Sequence, residues 1–288
     1  MILVTGSTGQ LGSAVVRQLL NLSAEHEFAI FARDAEKAAQ YTVQGIPARI
    51  GDFDVPSSLP AAFAGIHKLL LISSRAMNRA EQQKQVVDAA VNAGVQHIIY
   101  TSLAVQDIHA SHVRDLMQSH FDTEAHILAS GVDYTFLRNT MYADAMPEII
   151  GPTWRKYGIN LPGGNGKVPY ALRREMGEAT ANLLMQSGHE GKTYDITGSA
   201  SYSYQDIAQA LSQLSGQPVP YHDAAPEAFK QQLQAVGLPE FLRYLTVGTV
   251  LDIKDHQYEV HSDALRLLLG RDPAGLQAML QEVFALNR

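Results

Sequence analysis

The chain has 288 residues, 46% of them hydrophobic and 18% charged, enough to bury a substantial core as one large domain or two unequal ones. Twenty-two basic against 29 acidic residues give a formal charge of -7, and no Lys/Arg run exceeds Arg173-Arg174, which argues against a nucleic-acid partner. Cysteine is absent, so disulfides, thiolate chemistry and cysteine-ligated metal sites are excluded. The longest apolar runs, such as Leu69 to Ile72, suit one buried strand and not a bilayer span, so no membrane partner is expected. Met1 to Val4 run straight into Thr5-Gly6 with no basic or extended apolar leader region, and a soluble cytoplasmic protein is expected.

In chain order, Ile2 to Thr5, Phe28 to Phe31, Leu69 to Ile72, His97 to Tyr100 and Val132 to Leu137 read as strands alternating with helix-length amphipathic stretches. That order predicts an α/β fold of the Rossmann type, a doubly wound, mainly parallel sheet. Leu11, Val15, Leu19 and Leu22 form the sheet-facing stripe of the first helix, and Val87, Ala90 and Val91 that of a later one. Four helical stretches end in a glycine followed by a β-branched residue, at Gly45, Gly65, Gly94 and Gly131, each suited to a left-handed cap. After about residue 147 the pattern loosens, then a helix (174 to 186) and a strand (193 to 197) are expected to rejoin the core. From Ser201 short helices follow: one opened by a capping box at Ser203 to Asp206 with Ile207, Leu211 and Leu214 on one face, then 262 to 269 and 276 to 284. The division predicted is a dinucleotide-binding core of residues 1-147 rejoined by about 166-200, with 148-165 and 201-288 as a smaller, mostly helical substrate domain.

The first turn carries the strongest functional signal. Gly6, Gly9 and Gly12, with Ser7, Thr8, Gln10 and Leu11 between them, follow a strand and open a helix. A dinucleotide needs that arrangement: a sharp turn, close approach of main chain to the pyrophosphate, and tight helix-strand packing, with free N–H groups at the positive end of the helix dipole. At the end of the second strand stand Ala32-Arg33 in place of an acidic residue, and Lys37 lies one helical turn on. A guanidinium fork there suits a 2'-phosphate, so NADP(H) is favoured over NAD(H), with Asp34 the opposing charge unless it caps the next helix.

These residues and several longer stretches together resemble the NmrA-like atypical short-chain dehydrogenase/reductases, and within them the type 2 NAD(P)H:quinone oxidoreductases and triphenylmethane reductases. The stretches are Thr5 to Gly12, Phe31 to Asp34, Gly51 to Asp54, Lys68 to Ser74, Ala93 to Leu103, Tyr134 to Tyr142, Gly188 to Gly198 and Ala235 to Glu240. The resemblance implies Gly6, Thr8, Gly9, Gln10 and Leu11 at the phosphates, Arg33 at the 2'-phosphate, Asp52 and Phe53 at the adenine, and Ile72, Ser73 and Ser74 on the nicotinamide ribose side. It also implies Tyr100, Thr101 and Ser102, and the segment Asn139 to Tyr142, at the nicotinamide and substrate.

The chain departs from the carbonyl-reducing members of the wider superfamily, which carry a Tyr-x-x-x-Lys pair; here His120-Phe121-Asp122-Thr123-Glu124 stands at that place. Without that acid an ordinary ketone is a poor substrate, whereas a quinone or a cationic dye accepts hydride with little proton donation. The expected function is NADPH-dependent hydride transfer to such a conjugated acceptor, with His120 assisting proton transfer and Ser102 orienting the acceptor. Tyr142, Trp154 and Tyr170 suggest an open acceptor cleft, with Asn139, Tyr142 and Trp154 as substrate-binding candidates. The rival is a non-catalytic NAD(P)-sensing regulator; a sugar-nucleotide epimerase ranks last because it needs the missing Tyr-Lys pair. His109, His112, His120 and His126 crowd one stretch without the spacing of a known metal motif, and no metal is expected.

Overall fold

The computed structural model describes residues 1–22, 27–74 and 76–286. The strands are β1 (Ile2–Val4), β2 (Phe28–Ala32), β3 (Ala48–Ile50), β4 (Lys68–Leu71), β5 (His97–Leu103), β6 (Asp133–Asn139), β7 (Ile159–Leu161), β8 (Lys192–Ile196) and β9 (Tyr221–Asp223). The helices are α1 (Gln10–Leu22), α2 (Ala35–Thr42), α3 (Leu59–Phe63), α4 (Arg79–Asn92), α5 (Arg114–Ser130), α6 (Met146–Ile150), α7 (Trp154–Tyr157), α8 (Arg173–Leu184), α9 (Tyr204–Ser215), α10 (Pro226–Ala235), α11 (Glu240–Lys254), α12 (Ala264–Leu269) and α13 (Leu276–Val283).

Seven strands form one sheet in the order β3-β2-β1-β4-β5-β6-β8, and each pairing is parallel. Every residue of β1 and β2 is buried, as an inner strand covered on both faces requires. One apolar layer joins α1, α8 and α12 to the sheet through Val15, Leu19, Met176 and Leu265; the other brings Phe63, Val86, Val87 and Ile127 against the opposite face. The order reverses between β1 and β4, and in such sheets the crevice at that reversal, beyond the carboxyl ends of the strands, is where ligands bind.

A third apolar cluster lies apart from the sheet. It gathers Met146, Ile150, Trp154 and Tyr170 from the segment after β6 with Tyr204, Leu211, Phe229, Val250, Tyr258 and Leu280. Within it β7 and β9 make a small parallel pair. The capping box at Ser203 and Asp206 is formed, and Gly45, Gly65, Gly94 and Gly131 all take positive φ at helix ends.

Several expectations need amending. Leu22 is 44% exposed and leaves the stripe of α1, whose buried face ends with Leu19 one turn before the helix stops. The short edge strand β3, the β7–β9 pair, α10 and the 15-residue α11 were not foreseen. Gly248 and the β-branched run Thr246, Val247, Thr249 and Val250 disfavour α11 locally, and packing forms it nonetheless: a Cβ on Gly248 would meet Val113 Cγ1 at 2.5 Å. Helix α12 packs on α8 and β8, on the sheet side of the molecule. No helix of the described residues is long and apolar enough to cross a membrane.

Candidate functional site

The turn after β1 opens a cleft of about 700 Å³ at the switch point. Gly6 adopts φ +59, and a Cβ on Gly12 would be driven into the Gly6 carbonyl oxygen, so the main chain of the turn and the first turn of α1 close on each other as no side chain would allow. Gly9 N–H donates to the Gly6 carbonyl and Ser13 N–H to that of Gly9, which fixes the turn; the main chain at Gly9 to Leu11 then faces the cleft at the positive end of α1. Buried hydroxyls brace the wall. Thr5 Oγ1 donates to Leu70 O and accepts from Ile72 N, Thr101 Oγ1 accepts from Ser73 N, and Ser7 Oγ donates to Phe31 O.

The nucleotide candidates Gly6, Thr8, Gly9, Gln10, Leu11, Arg33, Lys37, Asp52, Phe53, Ile72, Ser73 and Ser74 all line this cleft. Ser7, Tyr100 and Thr101 do not: Ser7 and Thr101 lie behind it in the bracing just described, and Tyr100 is buried in the core toward α4 and α5, its hydroxyl against Gln83 and His120. Arg33 is exposed at the cleft edge. Asp34 caps α2 by accepting from Lys37 N at 2.8 Å, so the opposing carboxylate is engaged by main chain and by Lys37 Nζ at 3.7 Å. Phe53 stacks on Phe31 with centroids 5.2 Å apart, a flat apolar wall suited to an aromatic base. These features fit a dinucleotide carrying a 2'-phosphate: bare N–H groups for the diphosphate, a guanidinium for the extra phosphate and an aromatic wall for the base.

A second cavity, of about 1050 Å³, opens beside the first, and Ser73, Ser74, Ala76, Tyr142, Glu148 and Arg173 belong to both walls. Ser102, His120, Asn139 and Tyr142 line it as foreseen; Trp154 does not. Trp154 and Tyr170 are buried in the third apolar cluster, Trp154 edge-on to Phe284, because short α7 turns its indole inward. Sequence reasoning passed over Arg173, Arg79 and the α11 face. Arg173 donates from Nη1 to Gln10 Oε1 at 2.7 Å and lies 4.1 Å from the centroid of the Tyr142 ring, so it ties α8 to both cavities; its lone clue was the Arg-Arg pair opening a helix. Phe241, Leu242, Leu245 and Thr249 of α11 form the far wall, held by Asp252, which accepts from Ser111 Oγ and His112 N at 2.6 Å each.

His120 is 7% exposed, and burial, with Arg79 adding repulsion, pulls its imidazole down to about 3, so the ring is neutral at ordinary pH. Its Nδ1 meets Tyr100 Oη at 3.2 Å. Gln83 Nε2 donates to that same Oη at 3.1 Å and to Thr123 Oγ1 at 2.8 Å. With the Gln83 amide so oriented, the Tyr100 hydroxyl hydrogen goes to Nδ1, and the ring carries its own hydrogen on Nε2. Burial also raises the Tyr100 phenol far above its ordinary value, so it is a fixed donor and not an acid. Glu124 accepts two hydrogen bonds from Arg138, at 3.0 and 2.6 Å, and the rest of the His-Phe-Asp-Thr-Glu run thereby locks α5 to β6. Ser102 Oγ is buried without a hydrogen-bond partner. The other histidines diverge: His112 pairs with Asp255, His126 with Asp88, and His109 is exposed. Among the described residues no three His, Asp or Glu side chains are grouped to hold a metal ion.

Comparison with known proteins follows the same lines. The model of the NmrA-like family matches residues 1–258. Quinone oxidoreductase 2 of Escherichia coli (strain K12) is 32% identical over the whole of both chains, and the NAD(P)H azoreductase of Xenophilus azovorans is 32% identical over 84% of this chain and 83% of its own. The structure of that E. coli quinone oxidoreductase complexed with NADPH superposes with a TM-score of 0.90 at 31% identity over 99% of this chain and 100% of the other. The Citrobacter triphenylmethane reductase complexed with NADP(H) gives 0.90 at 32% identity over 98% and 99%. A turn built for a diphosphate, a full-length likeness to these reductases and a family match across nine-tenths of the sequence agree: the chain belongs to the NmrA-like family.

Proposed function

We propose that this protein is an NADPH-dependent oxidoreductase that reduces a conjugated electrophile, a quinone or a dye, by direct hydride transfer. One observation carries the reading: the nucleotide cleft runs into a larger cavity across the shared wall of Ser73, Ser74, Tyr142 and Arg173. A protein that only senses dinucleotide needs no such second chamber. Two relatives with full-length likeness are named for quinones and triphenylmethanes, and a third, alike over about five-sixths of the chain, for azo compounds.

The turn from Gly6 to Leu11 holds the diphosphate, Arg33 and Lys37 the 2'-phosphate, and Asp52 and Phe53 the adenosine. NADPH, when bound, supplies the hydride. Ile72 to Ser74, fixed by Thr5 and Thr101, set the depth at which its reactive ring lies; Tyr142 and Asn139 border the acceptor. The Nε2–H of His120 offers a hydrogen bond to an acceptor oxygen, and Ser102, on the same wall with its Oγ buried and unpartnered among the described residues, helps to orient the acceptor. His120 holds its proton on Nε2 throughout the neutral range, so it orients and donates a hydrogen bond and does not act as an imidazolium acid. Residues 148-165 with most of 201-288 act as the substrate lobe over the core of 1-147 and 166-200, the third apolar cluster joining the lobe to core residues such as Met146 and Tyr170, and we place the protein in the cytoplasm.

The test is to mix pure protein with NADPH and a panel of benzoquinones, naphthoquinones and triarylmethane dyes and follow NADPH absorbance. Oxidation well above the uncatalysed rate with at least one class is expected. NADPH binding with no oxidation across the panel would instead favour the dinucleotide sensor.

A further inference from the structure

One of the arginines that line the larger cavity, Arg79, has no carboxylate partner among the described residues. It is the first residue of α4 and is half-buried in the cavity wall. Its Nε donates to Ser119 Oγ at 2.6 Å, and its Nη2 to the Leu116 carbonyl and the Met117 sulfur, so the guanidinium is held by neutral groups at the start of α5. Nη1 makes no hydrogen bond among the described residues. The acidic residues of the same wall sit elsewhere: Glu148 and Asp115 are exposed, Asp115 accepts from Tyr244 Oη, and Asp122 accepts from Gln118. A half-buried cation held only by neutral groups, with Nη1 left for solvent or a ligand in a chamber that His120 also lines, gives an electron-rich ligand a charged partner already in place.

We propose that Arg79 sets the charge of the acceptor, so that this chain reduces neutral and anionic quinones and disfavours cationic triarylmethane dyes. The inference rests on the reading of this cavity as the acceptor site. With NADPH as reductant, hydride brings two electrons and one hydrogen. Delivered to a quinone, it forms one O–H bond, aromatises the ring and leaves the other oxygen as an anion, which takes a proton from water to complete the hydroquinone. The acceptor passes from neutral to anionic, and the guanidinium stabilises the change. Delivered to the central carbon of a triarylmethane cation, the same hydride forms a C–H bond and a neutral leuco dye. That acceptor starts with the charge Arg79 repels and ends with none to stabilise. Unit charges roughly 6 Å apart at an effective dielectric near 20 alter an equilibrium or a rate by on the order of tenfold to a hundredfold.

The experiment compares kcat/KM for menadione, a naphthoquinone sulfonate and malachite green in the wild type and in Arg79→Leu, Arg79→Gln and Arg79→Lys. Equilibrium dialysis of the sulfonate against protein loaded with NADP+ adds a readout free of turnover. The wild type is expected to prefer both quinones to the dye. Arg79→Leu and Arg79→Gln should lose roughly tenfold or more with the quinones, most with the sulfonate, while gaining with malachite green, and should lose sulfonate binding; Arg79→Lys should keep the wild-type order. A merely structural Arg79 would lower all three acceptors together. An unchanged quinone-to-dye ratio in the neutral variants, or a wild type that prefers the dye, overturns the proposal. If no acceptor is reduced, the reductase reading falls by itself, and dialysis still decides: sulfonate held by the wild type and Arg79→Lys but released by the neutral variants supports anion selection, and equal binding by all refutes it.

Discussion

The floor of the nucleotide cleft is main chain drawn from one continuous turn, whereas the acceptor cavity is walled by side chains from α4, α5, α11 and the segment after β6. The first region has almost no freedom: Gly6 and Gly12 close on each other, and buried Thr5, Ser7 and Thr101 pin the strand ends beneath. The second is held at a few points, Asp252 to the 111–112 main chain, Arg79 to α5 and Arg173 to Gln10, and the residues between them are free to differ in size and charge. A backbone-built site serves one invariant ligand, a diphosphate. A side-chain-built site can be retuned for acceptors without disturbing the first, which is how relatives of one architecture come to carry the names of quinone, azo and dye reductases.

The largest effect should come from breaking the two regions separately. Gly12→Val drives a side chain into the Gly6 carbonyl and should abolish NADPH binding, a loss beyond a hundredfold by calorimetry. Gly166→Val drives one into the Ile253 carbonyl of α11, the helix that walls the acceptor cavity, costing about 1–3 kcal/mol or more, and should reduce acceptor turnover while a folded fraction still binds NADPH. If both variants lose NADPH alike, the regions are not independent.

Next in size is an acid-side stability term from His120. Its pKa in the folded protein lies near 3, against an ordinary 6.5, so between those values the unfolded chain binds the extra proton. The stability is therefore complete above the upper value and is lost as pH falls, by about 3 kcal/mol at pH 4. Buried His97, whose pKa is lowered by desolvation, acts in the same direction, so the measurement is a difference. Denaturant melts at pH 7 and pH 4 should show the gap between wild type and His120→Gln shrinking by about that amount. A constant gap would mean that His120 ionises normally. In the same vein, no His120 inflection should appear in quinone turnover between pH 5 and 9.

Arg33→Ala probes the exposed edge of the nucleotide cleft and should cost NADPH about 1–3 kcal/mol while leaving NADH nearly unaffected. Equal losses for the two would remove Arg33 from the 2'-phosphate. The position of Arg33 at the cleft edge could be read from the sequence because strand, turn and the residue after the second strand follow local backbone rules. The sheet was legible for the same reason, through apolar runs and glycine caps. The acceptor cavity was much less so. Arg79 is one arginine among helix residues of ordinary pattern, and what sets it apart is the lack of a carboxylate, which only the packing of α4 on α5 reveals. Helix α11 hid behind Gly248 and a β-branched run, since the contact that forms it lies with Val113, far away in the chain.

Trp154 marks the limit of composition as a guide. A lone tryptophan after the core invites a role in stacking a flat acceptor, but its ring is buried between Phe284, at 5.5 Å, and the Arg155 guanidinium, at 4.5 Å, and it lines neither cavity. Trp154→Phe keeps an aromatic ring and leaves a small void, so it should lower stability by about 1–2 kcal/mol and leave kcat/KM for a quinone within about twofold. The smallest of these effects sharpens the contrast between the regions, because it separates the lobe's packing from the chamber it encloses. A larger drop in kcat/KM than in stability would show that the third apolar cluster communicates with the acceptor, and that the chamber is less freely retuned than its side-chain construction implies.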